Sequence, residues 1–275
     1  MDWAKIAKND YALPEGINPL ESLDELLGML GDPNPVVRDE QGYGTLANWI
    51  RAGHFDARLQ ELGDQCVANL QDPNVLLRSF SVLILAEVVR CNRKHSLLPR
   101  HAVQPWLERW QQWYPNEPDV RSYEDGTGWI HAVAHGADFA FEWALSEDES
   151  APLRLLMASF TERFKHLPLY LSQTENDRVA LAILAVLSRP AFRPNDIQDW
   201  LSSYQTLWTV LEPGKIPPGA VLAVQTLQSL YVLLKLGATD DGAALKPAYP
   251  QETLEEVEAA LKTVYPFYGT PDASP

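Results

Sequence analysis

Four side chains with metal-ligating or acid–base chemistry fall at helical spacing in the run Gly128-Trp129-Ile130-His131-Ala132-Val133-Ala134-His135-Gly136-Ala137-Asp138, continued to Glu142. At roughly 100° per residue, His131, His135, Asp138 and Glu142 share an arc of roughly 60° on one helix. Imidazoles four residues apart can share a metal ion, and Asp138 could be a third ligand or orient one, giving a His-x-x-x-His-x-x-Asp site for a divalent metal, Zn or Fe. The pattern lacks the catalytic Glu of His-Glu-x-x-His. Two other readings stay open. The histidines could be satisfied by hydrogen bonds to neighbouring helices, with Asp138 or Glu142 pairing Arg121 or Arg78; or the stripe could contact a small molecule or peptide without metal.

The helix that carries the stripe is expected to start near Thr127 as N-cap, after a Gly-containing loop, and to run to about Leu145. Its other positions are apolar or small, and no Lys or Arg lies on it. A surface helix normally has a broad charged face, so this one should be packed on most sides and show one polar line to a groove. Gly136 allows close approach of a backbone or ligand, at a helix cost of about 1 kcal/mol against Ala.

What would position that helix is a repeat. Leu26-Leu27-Gly28-Met29-Leu30-Gly31-Asp32-Pro33-Asn34-Pro35-Val36-Val37-Arg38 is echoed about forty residues later by Val67-Ala68-Asn69-Leu70-Gln71-Asp72-Pro73-Asn74-Val75-Leu76-Leu77-Arg78. Each copy reads as an apolar helix end, a turn in which Asp accepts from backbone N–H groups while Pro sets the bend, and a second helix opened by Arg. The arginine is expected to bond the acidic turn of its own or a neighbouring unit. These units resemble HEAT-type repeats, whose turn reads Asp-x-x-x-x-Val-Arg. Looser copies run through Asn116–Arg121 and Glu175–Ala182, a further pair spans 195–211 and 217–236 between Pro217-Pro218 and Gly237, and a helix near 251–264 caps the stack. The fold class expected is all-α, an α-α superhelix (HEAT/armadillo-like solenoid) of about five helical hairpins plus a C-terminal capping helix. One domain over 1–265 and a disordered tail over 266–275 complete the organisation.

If successive second helices line one concave face, Asp39, Glu40 and Tyr43 would sit near Arg78, Arg121 and the His stripe, an acid, base and imidazole cluster; alternatively Asp39 and Glu40 complement a helix N-terminus. Trp106, Trp110 and Trp113 form an apolar stripe suited to packing between repeats. His54, His95, His101 and His166 read as surface residues, and Cys66 and Cys91 as reduced core residues. Thirty-seven acids against 22 bases, a net charge of −15, argue against nucleic acid. No stretch reads as a membrane span, and the start lacks a signal peptide's apolar core, so the expected compartment is the cytoplasm.

The Gly128–Asp138 block, with Val37-Arg38-Asp39-Glu40 followed by Tyr43 and with Leu77-Arg78-Ser79-Phe80-Ser81, resembles bacterial proteins of domain-of-unknown-function family 2785 over roughly residues 15–190. The resemblance implies an all-helical fold and a bacterial cytoplasmic origin, and it carries over no catalytic residue. The repeated His-Glu pairs of the di-iron hydroxylases built on HEAT-type repeats are missing. The function expected is a binding or scaffold module for a protein segment or small-molecule ligand, with Glu40, Tyr43, Arg78, Arg121, Trp129, His131, His135, Asp138 and Glu142 as groove candidates. The alternative is a metal-assisted hydrolase or oxygenase with His131, His135 and Asp138 as ligands and Glu40 or Glu142 as general base.

Overall fold

The two Asp-Pro-Asn turns close with the same hydrogen bonds. Asp32 Oδ1 accepts from Asn34 N and Asp72 Oδ1 from Asn74 N, both at 2.8 Å. Asn34 Oδ1 then accepts from Val36 N and Asn74 Oδ1 from Leu76 N, both at 3.0 Å, so each Asn opens the helix that follows it. Asn74 Nδ2 also donates to Gly31 O at 2.8 Å, tying the second turn to the first. In each turn the arginine reaches back to backbone carbonyls and not to the Asp carboxylate: Arg38 Nη1 to Asp32 O at 3.0 Å, Arg78 Nη1 to Asp72 O at 2.7 Å.

The chain, described by a computed structural model for residues 1–209, 216–264 and 268, is predominantly helical with two short β-hairpins. Its contacts divide into two units, Met1–Ser146 and Glu147–Pro275. The first holds α1 (Trp3–Lys8), α2 (Leu23–Met29), a π-helical segment (Val36–Tyr43) running into α3 (Gly44–Arg51), α4 (Leu59–Asn69), α5 (Val75–His95), α6 (Arg100–Trp113), the hairpin β1 (Tyr123–Glu124) and β2 (Gly128–Trp129), and α7 (Ala132–Leu145). Helix α5 is the central member, packed on α3, α4 and, most extensively, α7. Trp106, Trp110 and Trp113 are buried as the sequence suggests, and each indole donates: to Asp64 Oδ1 (2.7 Å), Gly136 O (3.0 Å) and Glu117 Oε2 (2.6 Å). Gly136 meets an aromatic ring and not a ligand, since a Cβ there would stand 2.3 Å from Tyr114 Cδ2.

The second unit holds α8 (Ser150–Lys165), α9 (Glu175–Leu187), α10 (Pro194–Thr209), α11 (Pro218–Leu236), a hairpin of β3 (Ala238–Asp240) and β4 (Ala243–Leu245), and α12 (Pro250–Val264). The helices expected at 195–211, 217–236 and 251–264 are α10, α11 and α12, with residues 210 and 211 outside the described set. So, Tyr268 apart, is the tail expected over 266–275. Helix α11 packs on α8, α9 and α12. At 19 residues and a mean hydropathy of 1.4 over its most apolar window, it is long and apolar enough to cross a membrane by length and composition, which corrects the expectation that no stretch approaches a span.

Two departures from the expected repeats matter. The third turn does not open a helix at Arg121: the chain enters the β1–β2 hairpin, because Gly126 (φ +88°) and Gly128 (φ +78°) adopt left-handed conformations that a helix start excludes. In the fourth, Arg178 is exposed and not buried like Arg38 and Arg78.

Close packing in the second unit gives a sharp test. A Cβ on Gly219 would lie 1.8 Å from the Phe164 carbonyl oxygen, whereas one on Gly28 meets nothing within 4 Å. Gly219→Ala is therefore expected to cost about 3 kcal/mol, and exposed helical Gly28→Ala to be neutral or stabilising by up to about 1 kcal/mol. Urea denaturation of both variants checks the contrast.

Candidate functional site

The Val36–Tyr43 segment bonds i to i+5, a wide helical turn found mostly in single-turn bulges and frequently at functional sites. It contains the Arg38-Asp39-Glu40 run and Tyr43. A Cβ at Gly42 would stand 2.8 Å from Met29 Cβ, so the segment lies tight against α2. Arg38 is 0% exposed. Besides Asp32 O, its guanidinium donates through Nη2 to Thr127 O in the hairpin at 2.8 Å, and its carbon lies 4.9 Å from the centre of the Phe80 ring on α5.

From Arg38 a line of ring contacts leads outward. Phe80 meets the His135 ring edge-on at 5.0 Å and Tyr43 at 6.2 Å. His135 faces His131 at 5.8 Å, His131 stacks on Trp129 at 4.4 Å and 24°, and Trp129 meets Tyr123 at 5.0 Å and 74°. Arg38, Phe80 and His135 are buried, Tyr43 and His131 half-buried, while Trp129 is 39% and Tyr123 49% exposed.

The hydrogen bonds of Ser79 fix the inner imidazole. Ser79 Oγ donates to Ile130 O and lies 2.8 Å from His135 Nδ1. A hydroxyl has one proton, so with that proton on Ile130 O the ring must donate from Nδ1, and neutral His135 carries its proton there. Ser79 is fully buried and its Oγ serves as donor and acceptor at once. The pair ties α5 to the segment between the hairpin and α7.

His131 precedes α7 and does not lie on it. Its φ of +50° is left-handed, rare for a residue with a Cβ. Several bonds hold it there: its N–H reaches Arg121 O (3.2 Å) and Ser122 O (3.3 Å), and its carbonyl accepts from His135 N (2.9 Å). The helix expected to be capped by Thr127 is thus capped four residues later, by His131, and the wheel that aligned His131 with His135, Asp138 and Glu142 does not apply. Among the described residues no three of His, Cys, Asp or Glu are placed to hold a metal ion, and His131, His135 and Asp138 are no exception.

The remaining candidates are distributed elsewhere. Glu142 pairs with Arg93 (2.8 Å) and Arg90 (3.9 Å), and not with Arg121 or Arg78. Arg90 also approaches Glu87 (4.0 Å), which holds Arg51, itself contacted by Tyr43. This ladder lies farther along α5, about 15 Å from Phe80 at 1.5 Å per residue. Arg78 is occupied by buried Glu117, with bonds of 2.7 and 2.6 Å. Arg121 is bound by Asp119 (2.5 Å) and Glu124 (2.7 Å) at the surface. Glu40 is exposed beside Asp39. The structure therefore brings Tyr43, Trp129, His131 and His135 into one line, and leaves Arg78, Arg121 and Glu142 in separate ion pairs. Sequence reasoning left Arg38, Ser79, Phe80 and Tyr123 out of the site. For Arg38, Ser79 and Phe80 the signal was the resemblance of Val37–Tyr43 and Leu77–Ser81 to family segments; Tyr123 lay in no such segment.

The fold so defined is all-α with small β-hairpins. The family described as "Protein of unknown function (DUF2785)" matches residues 67–234, and the chain belongs to it. The match runs from α4 to α11 and includes the hairpin and α7, while Arg38 and Tyr43 precede it. No curated protein and no solved structure matches the chain.

Two predictions follow from Arg38 and its neighbour. Arg38→Met strands the Asp32 and Thr127 carbonyls, so it should lower stability by about 3 kcal/mol and speed hydrogen exchange over residues 122–131. Asp39 Oδ1 lies 2.7 Å from Arg38 Nε, yet burial of its carboxyl outweighs the attraction and raises its pKa above the usual 3.8. The folded chain then holds that proton more tightly than the unfolded chain, so stability falls as pH rises from 3.8 through the raised value. Asp39→Asn should accordingly stabilise the protein at pH values above that window and lose its advantage below it, measured by urea midpoints across pH.

Proposed function

We propose that this protein is a binding module of HEAT-like helical hairpins, in which the face bearing Tyr43, Trp129 and His131 receives a protein segment or small-molecule ligand. The observation that carries this reading is the division between inner and outer groups of the ring line: Arg38, Ser79 and His135 are committed to holding loops, while Trp129 and Tyr123 stand exposed on a hairpin fixed from within. Exposed aromatic side chains on a rigid support suit recognition, because little ordering is needed on binding. The HEAT-like description draws support from the two turns, which share an Asp, an Asn and an Arg bond between equivalent atoms.

A bacterial cytoplasmic setting belongs to the same proposal. Cys66 and Cys91 are free and buried, and burial is the main cause pushing both thiols up, Cys91 to about 11. The net charge of −15 favours partners other than nucleic acid, and a peripheral or integral membrane role is no part of the reading.

Metal analysis of the purified chain tests the module against the metal-dependent enzyme. Less than about a tenth of an equivalent of Zn or Fe is expected, unchanged in a His131→Ala, His135→Ala double variant, since a site needs converging ligands. One equivalent that disappears in a folded double variant would overturn the proposal.

A further inference from the structure

We infer that the Tyr123–Trp129 corner of the hairpin binds an organic cation, an alkylated ammonium or guanidinium group, carried by a free small molecule or by a side chain of a partner. The inference rests on the reading of this face as a binding surface and adds the ligand's chemistry.

Three observations on the hairpin agree. First, the rings of Tyr123 and Trp129 stand 74° apart with centroids 5.0 Å from each other, the edge of one against the face of the other. A cation in the angle between them would lie over the negative face of the edge-on ring and beside the rim of the second face. Second, both rings are exposed, yet neither is loose: Tyr123 and Trp129 are register partners across the β1–β2 ladder, and His131 stacks on the indole. Third, the segments that carry and support them are net negative. Residues 119–129 carry Asp119, Glu124 and Asp125 against Arg121, and the turn and π-segment carry Asp32, Asp39 and Glu40 against Arg38. The hairpin rests on that turn, where a Cβ at Gly128 would lie 3.1 Å from Pro35 Cβ. Both arginines are already engaged, Arg121 by Asp119 and Glu124 and Arg38 by backbone carbonyls and Asp39. No lysine occurs in either segment. Such a field draws cations and repels anions, which separates this corner from an aromatic patch suited to any apolar group.

The experiment follows the Trp129 indole NMR resonance of the full chain, assigned by its loss in Trp129→Ala. Choline and its uncharged tert-butyl analogue are the small-molecule probes, and a peptide with one trimethyllysine, with its unmodified form, is the side-chain probe. Choline or the trimethyllysine peptide should shift the resonance saturably, with the tert-butyl analogue weaker by about fivefold or more. Tyr123→Ala, at an exposed ring, should weaken binding by a similar factor, and Tyr123→Phe, which keeps the π face, should retain it. A response to choline assigns a free cation, and one to the peptide alone assigns a partner's side chain. Equal binding of the uncharged analogue would overturn the inference while leaving the face a binding surface. A Trp129 resonance unmoved by either cation would overturn it outright, whatever the metal analysis shows.

Discussion

Everything in the first unit is arranged around the burial of two guanidinium groups. Removing an arginine from water costs several kcal/mol, recovered only if its N–H groups and its charge find partners. Arg38 and Arg78 occupy the same place in successive turns, and each takes a carbonyl of its own Asp-Pro-Asn turn as first partner. Each then reaches to a later part of the chain: Arg38 to Thr127 in the hairpin, Arg78 to Glu117 beyond α6. The repeat therefore fixes more than its own bend. Because the turn supplies only part of what a guanidinium needs, the rest must come from residues far along the sequence, and those residues are held where the arginine demands them. The same logic accounts for buried Glu117, which binds Arg78, Trp113 Nε1 and Asp119 N together.

What could be read from the sequence was what short-range chemistry decides. The Asp-Pro-Asn turns, the burial of the three α6 tryptophans and the starts of α10, α11 and α12 depend on caps, prolines and apolar periodicity within a few residues. The start of α7 was not legible, because Gly126 and Gly128 satisfy a loop before a helix as well as they satisfy a hairpin, and only the pairing of Tyr123 with Trp129 decides between them. The π-segment was hidden for a related reason: over eight residues the apolar pattern of Val36–Tyr43 does not separate an i to i+5 turn from an ordinary helix. At the site, the residue types were legible and their grouping was not. His131 and His135 do come together, but through a left-handed residue ahead of the helix, which no helical wheel contains. Arg121 and Arg78 do bond the acidic turn of their own and of a neighbouring unit, through Asp119 and Glu117, as the repeat suggested, whereas Glu142 depends on long-range packing and finds Arg93 and Arg90 instead of Arg121 or Arg78.

The buried and exposed halves of the ring line do different work. A histidine near a serine and a second histidine invites a catalytic reading, yet the Ser79 hydroxyl bonds both Ile130 O and the His135 ring, and if it donates to the carbonyl it can only accept from His135 Nδ1. Both groups are sheltered from solvent, so their bonds are retained as cross-links between α5 and the segment that enters α7. Farther along α5, the Arg51–Glu87–Arg90–Glu142–Arg93 ladder performs a comparable task between α3, α5 and α7 with exchanged signs. Surface ion pairs are individually worth little, but a ladder that joins three helices restricts their relative movement and leaves the hairpin end as the place where aromatic surface meets solvent.

That hairpin is too short to stand by its own pairing. Strands of two residues have no independent stability in water, and a left-handed His131 adds strain of order 1 kcal/mol or more. Its order must therefore come from outside the ladder: from Arg38 at Thr127 O, from Gly128 against Pro35, and from the N–H of His131 on Arg121 and Ser122. A loop held in this way presents Trp129 and Tyr123 already oriented, so a ligand would lose little of its binding free energy to ordering them. The strained residue, the wide turn and the buried guanidinium thus belong to one arrangement. Each is unfavourable alone, and together they fix two exposed rings at an angle that a flexible loop would not maintain.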